Sequence, residues 1–149
     1  MHVAIIPRLS IVILILLLML LFMPLCIAEE PTLKWAYQFN SRISSSPVLS
    51  NGLIYLGSWD GKVYEMNTFY GTQQGNFHAY PSGIFSTPLY HDNTIYFGDD
   101  GGYFHAVDVI GDAKNWNFKA GENADTSPLL YNGMIVFGTD EKVFALRFT

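Results

Sequence analysis

Asp99-Asp100-Gly101-Gly102 sets two carboxylates ahead of a pliable turn, a grouping from which a calcium loop could start. Such a loop needs oxygen ligands at alternate positions over about twelve residues, and the following "YFHAVD" lacks that ladder. The pair reads as an acidic hairpin turn. Asp60 and Glu65 are the other tempting acids, since two carboxyls can divide acid and base work. They fall on an Asp60-Gly61 turn and within "KVYEMN", a strand-like stretch, so both read as architecture. His78 and His91 have no partner at metal-ligand spacing. His105 stands where parallel stretches carry Tyr64 and Phe144, which marks a packed strand position. Ser44-Ser45-Ser46 lacks a nucleophile-elbow context and reads as the loop entering Pro47. No catalytic, cofactor-binding or metal-binding residue is therefore assigned from sequence.

The elements that would position any such residue begin after an apolar leader. Met1 to Ser10 carries one base, Arg8, and no acid; Ile11 to Met23 is unbroken "IVILILLLMLLFM". Pro24 and "LCIA" follow, ahead of Glu29-Glu30. The pattern is that of a secretory signal cleaved after Ala28. An uncleaved N-terminal anchor is the alternative, because Ile11 to Ala28 approaches the length of a membrane span. Lipidation at Cys26 is a third, set against Leu25 where a small residue belongs. All three place residues 29–149 outside the cytoplasm, with Arg8 held inside. That part has seven bases against 13 acids, a net charge of −6 with His neutral, and no basic cluster. Nucleic acid is excluded as an expected partner, because phosphate neutralisation has no surface to work from. Cys26 is the only cysteine, so residues 29–149 hold no thiol, disulfide or thiolate ligand.

Three markers keep one period. Ser46-Pro47, Thr87-Pro88 and Ser127-Pro128 recur at intervals of 41 and then 40, as do Gly57, Gly98 and Gly138. Trp35 and Trp116 are two periods apart, with Gly75 at the intermediate place. Within each copy the pattern is β: "SPVLS", Asn51-Gly52, "LIYLG", Asp60-Gly61, "KVYEMN", Gly71, "QQGNFHAY". Asn-Gly and Asp-Gly accept the positive φ of two-residue hairpin turns. Pro47, Pro88 and Pro128 mark strand starts, since proline cannot donate to a ladder. The second strands, "LIYLG", "TIYFG" and "MIVFG", are apolar at consecutive positions, which implies burial on both faces. Four antiparallel strands per repeat of roughly 40 residues, stacked sheet on sheet, predict an all-β, β-propeller-type fold. It has about three blades and follows the N-terminal hydrophobic segment.

The chain resembles the PQQ-like (quinoprotein-type) propeller repeats, whose signature reads Ala-x-Asp-x-x-Thr-Gly-x-x-x-Trp followed by Ser-Pro and an apolar hairpin. Ala106, Asp108 and Trp116 match it in the second repeat, with Gly111 one residue early; Glu65, Asn67, Gly71 and Gly75 hold the places in the first. The third ends at "VFALRFT", where Ala145 aligns, and is one residue short at Asp140-Glu141. The resemblance covers Trp35 to Thr149, with blades at approximately 35–75, 76–116 and 117–149, and it implies structural roles for the Trp, Asp and Gly. WD40-type repeats share the period, but their markers are out of register here; the Trp59-Asp60 pair falls in a hairpin turn. The aromatics Trp35, Tyr55, Tyr64, Phe97, Tyr103, Phe104, Phe137 and Phe144 are expected in the inter-blade core.

Closed propellers have four to eight blades. Three fall short, so the reading leaves open a ring of associated copies, an arc packed on another chain, or a piece of a longer frame. Quinone-dependent dehydrogenases of the family hold cofactor and calcium on the propeller axis, and that constellation is not recognisable here. The resemblance therefore implies a non-enzymatic, extracytoplasmic scaffold for protein partners, similar to BamB-type outer-membrane assembly factors. No cofactor is expected, and the membrane is touched only through the N-terminal segment. The alternatives are a fragment of a PQQ-dependent dehydrogenase-like propeller, or a sensor or adhesin ectodomain that binds glycan or peptide.

Overall fold

The computed structural model describes residues 29–78, 82–111 and 114–147, together with Ile13. The signal or anchor expected over residues 1–28 otherwise lies outside these described residues. Lys34–Thr149 forms one unit by itself.

Asn51 and Gly52 both take positive φ (50° and 76°). The chain therefore reverses in two residues and zips Val48–Ser50 (β1) onto Leu53–Gly57 (β2). Lys62–Asn67 (β3) and Gln73–His78 (β4) complete a four-stranded antiparallel sheet in chain order. The second repeat does the same with Leu89–His91 (β5), Thr94–Gly98 (β6), Tyr103–Asp108 (β7) and Lys114–Lys119 (β8). Its first turn is Asp92-Asn93, and both residues have positive φ. That turn needs no glycine, because short Asx side chains tolerate the left-handed region. The third repeat provides Leu129–Tyr131 (β9), Met134–Gly138 (β10) and Val143–Arg147 (β11), three strands among the described residues. The molecule is thus all-β, with three β-propeller-type blades.

The Asp60-Gly61 connection differs from the two-residue turn expected. β2 and β3 are joined by the four residues Ser58–Gly61, closed by bonds from Ser58 N to Lys62 O and from Gly61 N to Ser58 O. Only Gly61 has positive φ there (77°). Asp99 N to Tyr103 O closes the equivalent loop of the second repeat, and Thr139 N to Lys142 O closes a loop one residue shorter in the third.

The core lies in two seams between sheets. Tyr55, Val63 and Phe77 of the first sheet meet Ile95, Phe97 and Val107 of the second, with Ile84 from the link between them. Tyr96, Phe104 and Ala106 of the second meet Ile135 and Phe137 of the third, with Ala120 and Ala124 from the next link. Each sheet thus has a forward face, toward the following repeat, and a backward face. Phe104 and Phe137 stack with ring centroids 3.9 Å apart, across the second seam. Fully burying side chains of this size contributes about 1.5–3 kcal/mol each. β6 is buried throughout, as its sequence implies; β2 and β10 are partly buried, since among the described residues the first and third sheets are each covered by a sheet on one face.

Candidate functional site

The groups most suited to chemistry are Asp99 and His105, and the fold uses both internally. Asp99 opens the β6–β7 loop. Its Oδ1 accepts from Tyr103 N at 2.9 Å, and its Oδ2 lies 2.8 Å from His105 Nε2. Neither side chain exceeds 1% exposure. The imidazole stacks on Phe97 at 5.1 Å, and its Nδ1 finds no hydrogen-bond partner. The pair resembles the base–orienter half of a nucleophilic site, but with no path to solvent it acts as a core cross-brace. The other repeats fill the same places differently. Ser58 and Thr139 replace Asp99 at the loop start, and Tyr64 and Phe144 replace His105 on the strand. Tyr64 donates to Asp60 Oδ2 at 2.7 Å, so the first repeat draws its carboxylate from two residues further along.

Asp60, Tyr64 and Tyr55 titrate away from their ordinary values. Burial pushes the Asp60 carboxyl up, but hydrogen bonds from Tyr64 and Ser58 and the Lys62 ammonium outweigh it, leaving the carboxyl below its ordinary value. Burial first, then the bond to Asp60 and its charge, raises the Tyr64 phenol to about 12. Burial first, then the Glu65 carboxylate and Tyr90, raises Tyr55 to about 12 as well. An unfolded phenol ionises near 10. The stability that Tyr55 and Tyr64 contribute by staying neutral is complete below that value and drains away as pH climbs toward about 12. The midpoint of urea unfolding is therefore expected to hold steady to about pH 9 and to fall between about 10 and 12. Tyr64→Phe should flatten part of that fall. A midpoint unchanged at about pH 11.5 would contradict the assignment.

Glu65 sits opposite Gly75 across β3 and β4, while Ala106 sits opposite Trp116 across β7 and β8. A Cβ on Gly75 would lie 3.2 Å from Glu65 Oε2. The long acid thus fills the space that Trp116 fills in the second sheet, a swap of volume across one strand pair. Glu65 stands where the second and third repeats carry Ala106 and Ala145.

A second constellation links the repeats, one that reading the sequence alone misses. Ser45 Oγ receives Gly57 N and donates to Gly57 O, at 2.7 and 3.2 Å. Ser86 does the same to Gly98, and Thr126 to Gly138. The signal is present, since residues 45, 86 and 126 keep the common period and are all hydroxyls. Forward from the first two clamps runs a further bond: Ser46 N to Thr87 Oγ1 at 3.2 Å, and Thr87 N to Ser127 Oγ at 3.0 Å.

Open surfaces lie at two loop ends. At the β2–β3 loop, Trp59 is 44% exposed, with its indole Nε1 donating to Ser44 Oγ, the Arg42 guanidinium 4.1 Å above its ring and Phe85 at 4.8 Å. Between the second and third sheets, Ala120, Gly121, Glu122, Thr139, Glu141 and Lys142 line a shallow cavity of about 220 Å³. His78 and His91 are exposed strand ends. Of the aromatics expected in the core, Tyr55, Tyr64, Phe97, Phe104 and Phe137 are buried; Trp35, Tyr103 and Phe144 are half-buried. Among the described residues no three His, Cys, Asp or Glu side chains gather around one point, and no helix is long and apolar enough to cross a membrane.

Solved structures share this arrangement. BamB from Moraxella catarrhalis matches with a TM-score of 0.61 and 17% identity, over 70% of this chain and 33% of that one. The likeness is one of fold. The computationally designed Ika8 protein matches with a TM-score of 0.60 and 14% identity, over 68% of this chain and 32% of that one. This chain thus spans about a third of the length of either. No family model and no curated protein matches it in sequence.

Proposed function

We propose that this chain is a non-enzymatic PQQ-like repeat protein that works outside the cytoplasm as a scaffold for other proteins, in the manner of BamB. The observation that carries the reading is the loop-end cluster of Trp59, Arg42 and Phe85. Tryptophan and arginine dominate the energetic centres of protein interfaces. Here they are pre-set by stacking and by the Ser44 bond, so little ordering entropy opposes binding. The likeness to BamB supports the class, and the burial of Asp99 and His105 fits a molecule whose polar chemistry serves its framework. The apolar leader supports export.

Titration with extended aromatic-rich peptides, read by indole fluorescence, is expected to give saturable binding. Trp59→Ala should weaken it at least about tenfold while moving the unfolding free energy by about 0.5 kcal/mol or less. Binding unaffected by that change would discard the site. Dye reduction with an alcohol or sugar, appearing only after quinone and calcium are added, would discard the scaffold reading itself.

A further inference from the structure

We propose that the Trp59 cluster selects a partner segment in which an acidic, an aromatic and a basic side chain follow one another along one side of an extended chain. Arg42 takes the carboxylate, Trp59 and Phe85 take the ring, and Asp100 faces the base. This deepens the scaffold reading and rests on it.

Arg42 is fixed at its backbone and uncommitted at its tip. Its carbonyl accepts from Trp59 N at 3.0 Å and from Ser58 Oγ at 3.3 Å, and the adjacent Ile43 forms a β-bridge with Ser58. Its guanidinium carbon lies 4.1 Å from the centre of the indole. Among the described residues the guanidinium makes no ion pair and no hydrogen bond. A guanidinium carries five N–H donors in one plane. Stacking covers a face of that plane and leaves its edge, where a carboxylate binds through two parallel bonds. Asp60, next to Trp59 in the chain, is engaged elsewhere: its Oδ2 accepts from Tyr64 at 2.7 Å and pairs with Lys62 at 3.5 Å. The edge of Arg42 is thus left for a carboxylate that a partner brings.

The ring site and an anion adjoin it. Trp59 is held by its bond to Ser44 and packs on Phe85. Gly83 lies between this pair and the next loop. A Cβ on it would come 2.8 Å from the Phe85 ring and 3.4 Å from Trp59 O, while its carbonyl accepts from Asp100 N at 2.9 Å. Asp100 is exposed and makes no ion pair among the described residues. A segment crossing Gly83 passes from a cation, over two rings, to an anion. Alternate residues of an extended chain share one side, so acid, aromatic and base in alternate places meet the three in turn. A segment of uniform charge is repelled at one end, which gives the site its selectivity.

The period separates this site from the framework. Ser45, Ser86 and Thr126 stay hydroxyls in every repeat because each clamps a strand end. One repeat beyond Arg42, Trp59 and Phe85 stand Gly83, Asp100 and Asp125, with neither cation nor ring. The second sheet forms without such a cluster, so folding does not demand the one beside the first. Every residue of the site belongs to the first two sheets' loops or to the stretches leading into those sheets.

The test is calorimetry on the full-length chain in mild detergent. The probe is a short blocked peptide in which glutamate, phenylalanine and lysine alternate with serine. Changing its glutamate to glutamine should weaken binding about tenfold. Arg42→Met keeps a straight stem over the indole and should weaken the glutamate peptide by the same factor, leaving the glutamine peptide within about twofold. The two changes made together should then cost no more than either one. Arg42→Lys should recover part of the loss, since charge survives and the fork does not. Asp100→Asn should weaken binding about threefold, and only while the peptide keeps its lysine. Glutamate and glutamine peptides bound equally, or Arg42→Met weakening both alike, would overturn this inference and leave the Trp59 site standing. Failure of every aromatic peptide to bind would overturn both. A mass of two chains in light scattering, dispersed by the peptide, would assign the cluster to a second copy and overturn the proposal.

Discussion

Gly98→Ala is expected to destabilise the molecule by about 3 kcal/mol or more, a large share of the roughly 5–15 kcal/mol that holds a domain folded. The added Cβ would land on the carbonyl oxygen of Ala124, with that residue's carbonyl carbon 2.7 Å and its Cβ 3.0 Å away. These are mainly backbone atoms, and they cannot swing aside as a side-chain tip could. Ala124 is held by its N–H bond to Asp99 O at 3.0 Å, and Gly98 is held by the Ser86 hydroxyl on both its N–H and its C=O. Relief requires shifting the link or breaking the clamp, and each lost bond adds about 1 kcal/mol to an overpacking cost of about 1–3 kcal/mol. Gly57→Ala meets the Cγ2 of Ile84 at 2.6 Å and its carbonyl oxygen at 3.0 Å, a milder clash than the direct overlap with the Ala124 carbonyl oxygen, so it should cost less. Gly138→Ala meets only Thr126 at close range, 3.1 Å, and should cost least. Urea unfolding of the three variants would give this order. Equal losses at Gly98 and Gly138 would refute the view that the repeat links fix these glycines.

The second large effect is expected at the buried pair. Asp99→Thr installs the third repeat's residue at the loop start, where Thr139 Oγ1 accepts from Lys142 N at 3.2 Å as Asp99 accepts from Tyr103. Alone, it strands His105 Nε2 in the core and should cost about 3 kcal/mol. His105→Phe alone leaves Asp99 Oδ2 without its partner and should cost a similar amount. Together they reproduce the third repeat's combination of Thr139 and Phe144, and a phenyl ring can occupy the imidazole's stacking place on Phe97. The double variant is therefore expected to be more stable than either single one, with a coupling of about 1–3 kcal/mol. Strict additivity would show that the contact between Asp99 and His105 is incidental.

The architecture is legible because a propeller repeats its errors and its rules at one interval. Ser/Thr-Pro, the strand-ending glycines and the doubly apolar second strands each report a physical need that every blade shares. Asp92-Asn93 is harder to see as a turn because it lacks glycine, although it satisfies the same positive φ as Asn51-Gly52. Asp99 reads as a turn residue, which it is, yet its burial depends on His105 six positions away and on the link bearing Ala124. Nothing local in "GDDGG" tells the two aspartates apart. The exchange of bulk between Glu65–Gly75 and Ala106–Trp116 is hidden for a related reason, since each half looks anomalous until the strands are placed side by side. The Trp59 cluster draws on Arg42, Ser44 and Phe85 from two different links, so only folding brings it together.

The bonds from Ser46 N to Thr87 and from Thr87 N to Ser127 have one further consequence. Each bond runs from a backbone N–H to a hydroxyl oxygen one repeat ahead, so the array has a polarity, like a filament with a plus and a minus end. Two leading ends brought together would set donor against donor, and two trailing ends acceptor against acceptor. Extension is one-way: a unit joining this series has to arrive facing in the same direction as the units already there.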